Sequence, residues 1–273
     1  MSQVINFINL IATKLLDLLL LPFKTLGDSW GLIFISALAG VLLIFVYGKV
    51  SNQKAIKKVK RKISASILEV ILYRHDISLC LKAQGGMLLA GAKYFLLAVP
   101  PLLILMIPCI VILSQLNLRY ESRPLKVGET LLLTTKLNDS AKLMNASLNL
   151  SGGLEASEPV RIPEANEIVW KIRAKDTGEQ KLTIQGLASK YEKPLFVETA
   201  AVPLYAQLNK SWLWTILYPQ DNAAFANEFS EIKLSYPKGE HFLFSLKLHW
   251  VIIFFIVSLV SGLVASKLFK IEI

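Results

Sequence analysis

The sequence predicts a membrane α-helical protein, with three transmembrane helices and a cytoplasmic helical hairpin, carrying an extracytoplasmic all-β sandwich-like domain. Three observations carry this expectation. There are three charge-poor apolar blocks of spanning length, a short connection crowded with lysine and arginine, and a long near-neutral connection broken into short alternating runs. Of the 273 residues, 53% are hydrophobic and 18% charged, against about 45–50% and about 25% in an ordinary soluble domain. The excess gathers in blocks, and that clustering is the membrane signal.

The blocks are Trp30–Tyr47, Tyr94–Leu116 and His249–Phe269. The first two contain no charged residue, and the third has none before Lys267. A membrane crossing takes about 20 predominantly apolar residues, and buried helices of soluble proteins rarely run so far without a polar face. Pro100, Pro101 and Pro108 fall inside the second block, where each removes a backbone donor and favours a kink. Such a bend serves either ordinary packing or the wall of a groove.

Orientation follows from lysine and arginine counts. Residues 48–93 hold ten basic residues against Glu69 and Asp76, for a net +8 of the chain's +10. The connection Leu118–Leu248 holds sixteen basic and fifteen acidic residues, which nearly cancel. The short basic connection is therefore expected in the cytoplasm, with the N-terminus and the long connection outside and residues 270–273 inside. Residues 1–29 are read as an amphipathic interfacial helix, because Ile5, Ile8, Ala12, Leu15, Leu16 and Leu19 mark one helical face. An uncleaved fourth span and a signal sequence remain open alternatives.

Within 48–93, Ile56, Val59, Ile63, Ile67, Val70 and Ile71 recur at helical spacing, and Lys54, Lys57, Lys58, Lys60, Arg61 and Lys62 crowd around them. These basic residues are candidates for contact with anionic lipid headgroups or with the ribosome. No aromatic residue interleaves them to stack on bases, so specific nucleic-acid recognition is not expected. Arg74–Ser78 breaks the pattern, and a second helix is expected to return towards Tyr94. Gly85 and Gly86 on that helix would either loosen it or let another helix approach closely.

The basic helix opening NQKAIKKVKRKISASILEVILYRHD and the run MLLAGAKYFLLAVPPLLILMIPCIVIL together resemble the YidC/Oxa superfamily. The similarity is to the three-span branch that includes subunit three of the endoplasmic reticulum membrane protein complex and archaeal YidC-like proteins. It covers Trp30–Leu116 and, more loosely, the last span. It implies a membrane-protein biogenesis factor, insertase- or chaperone-like, that shields hydrophobic segments in a cytoplasm-open groove. The polar residues available to such a groove are Ser36, Ser114, Gln115, Ser258 and Ser261. Nascent membrane proteins, the ribosome or another membrane subunit would join lipids as partners.

Residues 117–207 change character. Runs at Thr130–Leu137, Ala146–Leu150, Glu167–Ala174, Gln180–Gln185 and Leu195–Leu204 are separated by turn-rich stretches such as SGG, KDTGE and YEKP. Short strands at this spacing predict a β-sandwich, with Trp170 as a core anchor and Asp176-Thr177-Gly178 as a hairpin turn entering a strand. Residues 208–248 read as an interfacial return segment, with Trp212, Trp214, Tyr218, Tyr236, Phe242, Phe244 and, just beyond it, Trp250 as headgroup-level anchors.

The sequence carries no phosphate-binding loop, HExxH, GxSxG or zinc-type Cys/His spacing. No catalytic, cofactor or metal residue is expected, and the chain does not read as an enzyme. His75-Asp76 is read as a solvated turn. Cys80 and Cys109 would lie at different depths, which disfavours a disulfide. The outer domain has no cysteine, and this leans the expectation towards a bacterial plasma (inner) membrane. The second functional expectation is a structural, scaffolding subunit whose β domain binds an extracytoplasmic partner.

Overall fold

The computed structural model describes residues 2–23, 27–138, 144–186, 190–198, 203–209, 229–243 and 246–272. The chain divides into two compact units, Met1–Leu32 with Ile110–Ile253, and Ile33–Cys109 with Phe254–Ile273. Five α-helices occur among the described residues: α1 (Ser2–Leu20), α2 (Asp28–Val50), α3 (Gln53–Leu72), α4 (Ile77–Tyr120) and α5 (Trp250–Leu268). Of these, α2, α4 and α5 are long and apolar enough to cross a membrane, in agreement with the three expected spans.

Helix α4 corrects one expectation. The returning arm of the hairpin and the second span are one continuous helix of 44 residues, unbroken through Pro100, Pro101 and Pro108. Each proline leaves the carbonyl four residues earlier without its helical donor, at Leu96, Leu97 and Ile104. The turn before α4 is built by Asp76, whose Oδ1 accepts the Leu79 amide at 3.1 Å. This is an N-cap, and it gives Asp76 a structural role.

In the second unit, α3 begins at Asn52, whose Oδ1 accepts the Ala55 amide at 3.0 Å. Ile56, Val59 and Ser66 are its buried positions. A Cβ built on Gly86 would stand 3.5 Å from Ser66 Oγ, whereas one on Gly85 would meet nothing. Gly86 is thus the glycine at which α3 and α4 approach. Helices α2 and α5 meet at Gly40, where an added Cβ would collide with the Ser258 carbonyl and the Ser261 hydroxyl. Small residues let two apolar helices pack backbone to backbone.

The first unit holds the β domain, whose strands are β1 (Thr130–Leu137), β2 (Ser147–Leu150), β3 (Leu154–Ala156), β4 (Val160–Ile162), β5 (Glu167–Ala174), β6 (Gly178–Gln185), β7 (Lys190–Val197), β8 (Gln207–Asn209), β9 (Phe229–Ser235), β10 (His241–Leu243) and β11 (Leu246–Leu248). One sheet has the order β3-β5-β1-β9-β8, with β4 also on β5, a second has β2-β6-β7, and β10-β11 form a hairpin. All pairings between these strands are antiparallel. The two larger sheets share one core, in which Leu133, Trp170 and Leu234 form a buried rung across β1, β5 and β9. Leu182, Ile184, Tyr191 and Leu195 come from the facing sheet. Trp170 anchors the core as expected.

Three further expectations are corrected. The strand expected at Leu195–Leu204 is β7 at Lys190–Val197, so YEKP lies inside a strand. Pro194 is tolerated there because β7 is a sheet edge, paired along its length only with β6. The turn at Asp176–Gly178 is not a hairpin within one sheet. It carries the chain from β5 in one sheet to β6 in the other, and Gly178 takes φ +98° to do so. Lastly, residues 208–248 are not wholly a surface segment. β9 lies between β1 and β8, with Phe229, Ile232 and Leu234 turned into the core, so the β domain extends past residue 207.

Candidate functional site

The expected site residues fall into separate groups. Ser258 and Ser261 come together at the α2–α5 crossing, and their hydroxyls donate to the Phe255 and Ser258 carbonyls of their own helix. Ser36 is fully buried on α2. Ser114 and Gln115 belong to the other unit; Ser114 donates to the Val111 carbonyl at 2.9 Å. A serine bonded to its own helix presents little polarity to anything else. Ser114, Ser258 and Ser261 thus turn their hydroxyls to their own helices.

The basic cluster is divided in a similar way. Lys60 Nζ lies 3.2 Å and Lys57 Nζ 3.8 Å from the Glu272 carboxylate, and Gln53 Oε1 accepts the Glu272 amide at 2.7 Å. Ile271 packs on Gly48, where a Cβ would come within 2.7 Å of its side chain. The segment after α5 therefore clasps the start of α3. Lys54, Lys58, Arg61 and Lys62 stay exposed, with no ion pair among the described residues.

Further along α3 and the first turns of α4 the exposed surface changes from cationic to apolar. Leu68 and Leu72 of α3 and Ile77, Leu81, Leu88 and Leu89 of α4 are each between 62% and 77% exposed. Lys58, Arg61, Ala65, Leu68 and Leu72 follow one another at three- and four-residue steps, so they share one helix face. Of the apolar seam expected on α3, Ile56 and Val59 are buried whereas Ile67 and Ile71 are exposed, and sequence periodicity did not reveal this open apolar surface.

A polar cluster that sequence reasoning missed joins α1 to the end of α4. Arg119, whose side chain is 3% exposed, donates from Nη2 to Asp17 Oδ1 at 2.6 Å and to the Thr13 carbonyl at 3.3 Å. Its Nη1 donates to the carbonyl and Oε1 of Gln115 at 3.1 and 3.3 Å. The Thr13 hydroxyl lies 2.8 Å from the Asn9 carbonyl and 2.9 Å from Gln115 Oε1. Gln115 Nε2 donates to the Asn9 carbonyl at 3.4 Å. A buried guanidinium is tolerated when paired and hydrogen-bonded in this way. The signal was present as Asn9, Thr13 and Asp17 at four-residue steps and Gln115 and Arg119 four apart, but only the pairing of the two stripes gives it meaning.

Just beyond it, the β domain is keyed to the ends of α4 and α5. Glu121 Oε2 accepts Trp250 Nε1 at 2.7 Å and stands 3.2 Å from His249 Nε2. His241 Nε2 lies 2.7 Å from the Tyr120 carbonyl, with its ring edge-on to Tyr120 at 5.4 Å. The Gly239 amide donates to the Glu121 carbonyl at 2.9 Å, and a Cβ there would sit 2.5 Å from the Tyr120 carbonyl. Trp250 is buried in this seat and Tyr236 packs on the β core, so neither is the headgroup-level anchor expected of it. Phe242 is exposed. Trp212, Trp214, Tyr218 and Phe244 lie outside the described residues.

Elsewhere, Arg123 grips Glu129 through two bonds of 2.8 Å, and these hold the carboxyl down at about 2. Among the described residues no group of three His, Cys, Asp or Glu side chains is placed to hold a metal ion. No protein-family model matches the chain, and no curated protein matches it either.

Proposed function

We propose that the chain is a membrane-protein biogenesis factor of the YidC/Oxa kind that acts by holding hydrophobic segments on its helical hairpin. The observation that carries this reading is apolar surface beyond the spanning length. A helix of 44 residues is about 66 Å long, roughly twice the thickness of a hydrocarbon core. The part of α4 ahead of Tyr94 amounts to about 25 Å of helix. It bears Ile77, Leu81, Leu88 and Leu89, beside Leu68 and Leu72 of α3, all open. Contiguous exposed apolar surface marks a place where something docks. The net +8 of residues 48–93 favours the cytoplasm for this hairpin, where nascent chains are met. The hydroxyls of Ser114, Ser258 and Ser261 are bonded to their own helices, which favours holding over threading.

The scaffold reading is the second one. It is supported by the seat of Glu121, Trp250, His241 and Tyr120, which ties the β domain firmly to the helix ends. Photo-crosslinking residues at Leu72, Leu81 and, within the span, Ile104 separate the two in cells. Capture of many different hydrophobic nascent segments at Leu72 and Leu81 is the result expected of a holding factor. A single recurrent partner at all three positions sinks that reading in favour of the scaffold.

A further inference from the structure

Helix α1 is amphipathic with its faces the wrong way round for a surface helix. Its polar stripe, Asn9, Thr13 and Asp17, is turned inward onto Gln115 and Arg119. Its apolar side chains Leu10, Ile11, Leu15 and Leu18, with Leu21 just past its end, point away from the protein, at 41–67% exposure. A helix lying on a membrane surface does the opposite, with apolar residues down and polar residues up towards water. A helix whose polar groups are satisfied by the protein while its apolar residues face outward is built for hydrocarbon surroundings.

The register supports the same conclusion. Asn9 meets Gln115, Thr13 meets both Gln115 and Arg119, and Asp17 meets Arg119. The two helices therefore run in the same sense over these turns. At their ends, a Cβ on Gly31 would come within 2.9 Å of the Leu20 side chain and 3.0 Å of the Tyr120 hydroxyl. The end of α1 is thus gathered with the end of a spanning helix, and its earlier turns run back from there in the direction of Gln115.

We infer that α1 dips obliquely into the bilayer from the side that bears the β domain, and that lipid acyl chains cover its outward face. The cluster of Asp17, Arg119 and Gln115 then serves as its internal polar fastening. Lys14 is the one charged residue on the outward side of α1 among the described residues. It lies about 9 Å of helix from Leu20, within reach of the headgroups for a long flexible side chain. The inference stands apart from the holding function and does not depend on it.

The test uses the full-length chain with Cys80 and Cys109 replaced by serine, reconstituted in phosphatidylcholine liposomes. Single cysteines at Ile11, Leu15, Leu18 and Leu21 carry an environment-sensitive fluorophore. Quenching is compared for lipids with a doxyl group near the headgroup and deep in the acyl chain. The expected result is graded depth, with Ile11 quenched best by the deep probe and Leu21 by the shallow one. Equal, shallow quenching at all four sites overturns the inference and returns α1 to the surface. Absence of lipid quenching at every site also overturns it, since a protein partner would then cover the face. In a second arm, Arg119→Leu should raise labelling of Leu15→Cys by a water-soluble maleimide several-fold, and Arg119→Lys should raise it less. If labelling is already fast in the parent protein, α1 is not embedded.

Discussion

Thr135 stands on the rung between Ile168 of β5 and Ile232 of β9, fully buried, and its hydroxyl has no hydrogen-bond partner among the described residues. Burying an unmatched hydroxyl costs about 1–3 kcal/mol. Valine has nearly the same shape without that cost, so Thr135→Val should raise stability by about 1 kcal/mol. Thermal unfolding of the detergent-solubilised protein, followed by near-ultraviolet circular dichroism, would register it; a lower midpoint would mean the hydroxyl is satisfied. Glu129 gives the pH counterpart. Its folded carboxyl is held at about 2 chiefly by the Arg123 hydrogen bonds and also by the Lys126 amide, below an ordinary value of about 4.3. A lowered folded value stabilises fully above the unfolded value and loses that contribution as pH falls towards the folded one. Stability should therefore decline from about pH 4.5 to pH 2 in part through this group. Arg123→Gln should flatten that portion of the profile. An unchanged slope in the variant would show that the pair contributes nothing measurable.

At the scale of elements, the spans were legible because an apolar run of spanning length has few other uses in a folded chain, and β1 and β5 because their alternation is regular. Two kinds of feature were not legible. Phe229, Ile232 and Leu234 do alternate in β9, but the flanking tryptophans and tyrosines gave a competing membrane-surface reading, and nothing local says that β1 is the partner. Likewise the stripe Asn9, Thr13, Asp17 marks one side of α1, but its meaning depends on Gln115 and Arg119, about a hundred residues away. Gly40 shows how sharply a helix crossing can depend on one position. Gly40→Ala should cost about 1–3 kcal/mol by overpacking against Ser258 and Ser261. Gly91→Ala, where a Cβ meets nothing, should be neutral or gain up to about 1 kcal/mol from helix propensity. Thermal midpoints of the two variants should move apart, and equal midpoints would mean that α2 and α5 are free to separate.

For the whole molecule, the proposed orientation sets the hairpin and the β domain on opposite sides of a membrane. Val160→Cys, on an exposed β4 side chain, should react with an impermeant maleimide in intact cells. The native Cys80 near the start of α4 should react only after permeabilisation. The reverse pattern would invert the topology. The order in which the chain is made adds a constraint of its own. β1 receives its neighbour β9 from roughly a hundred residues later, with only the β10-β11 hairpin between β9 and the last helix, and pairings this distant in sequence form slowly. Until Ser235 has left the ribosome, β1 has β5 on one side and a bare row of amides and carbonyls on the other, the kind of edge that recruits stray strands. The domain can close only as the final helix is being delivered. A chain that stalls between these two events would present a sticky half-sheet, so the speed of translation across residues 200–250 should affect yield more than any single contact in the finished fold.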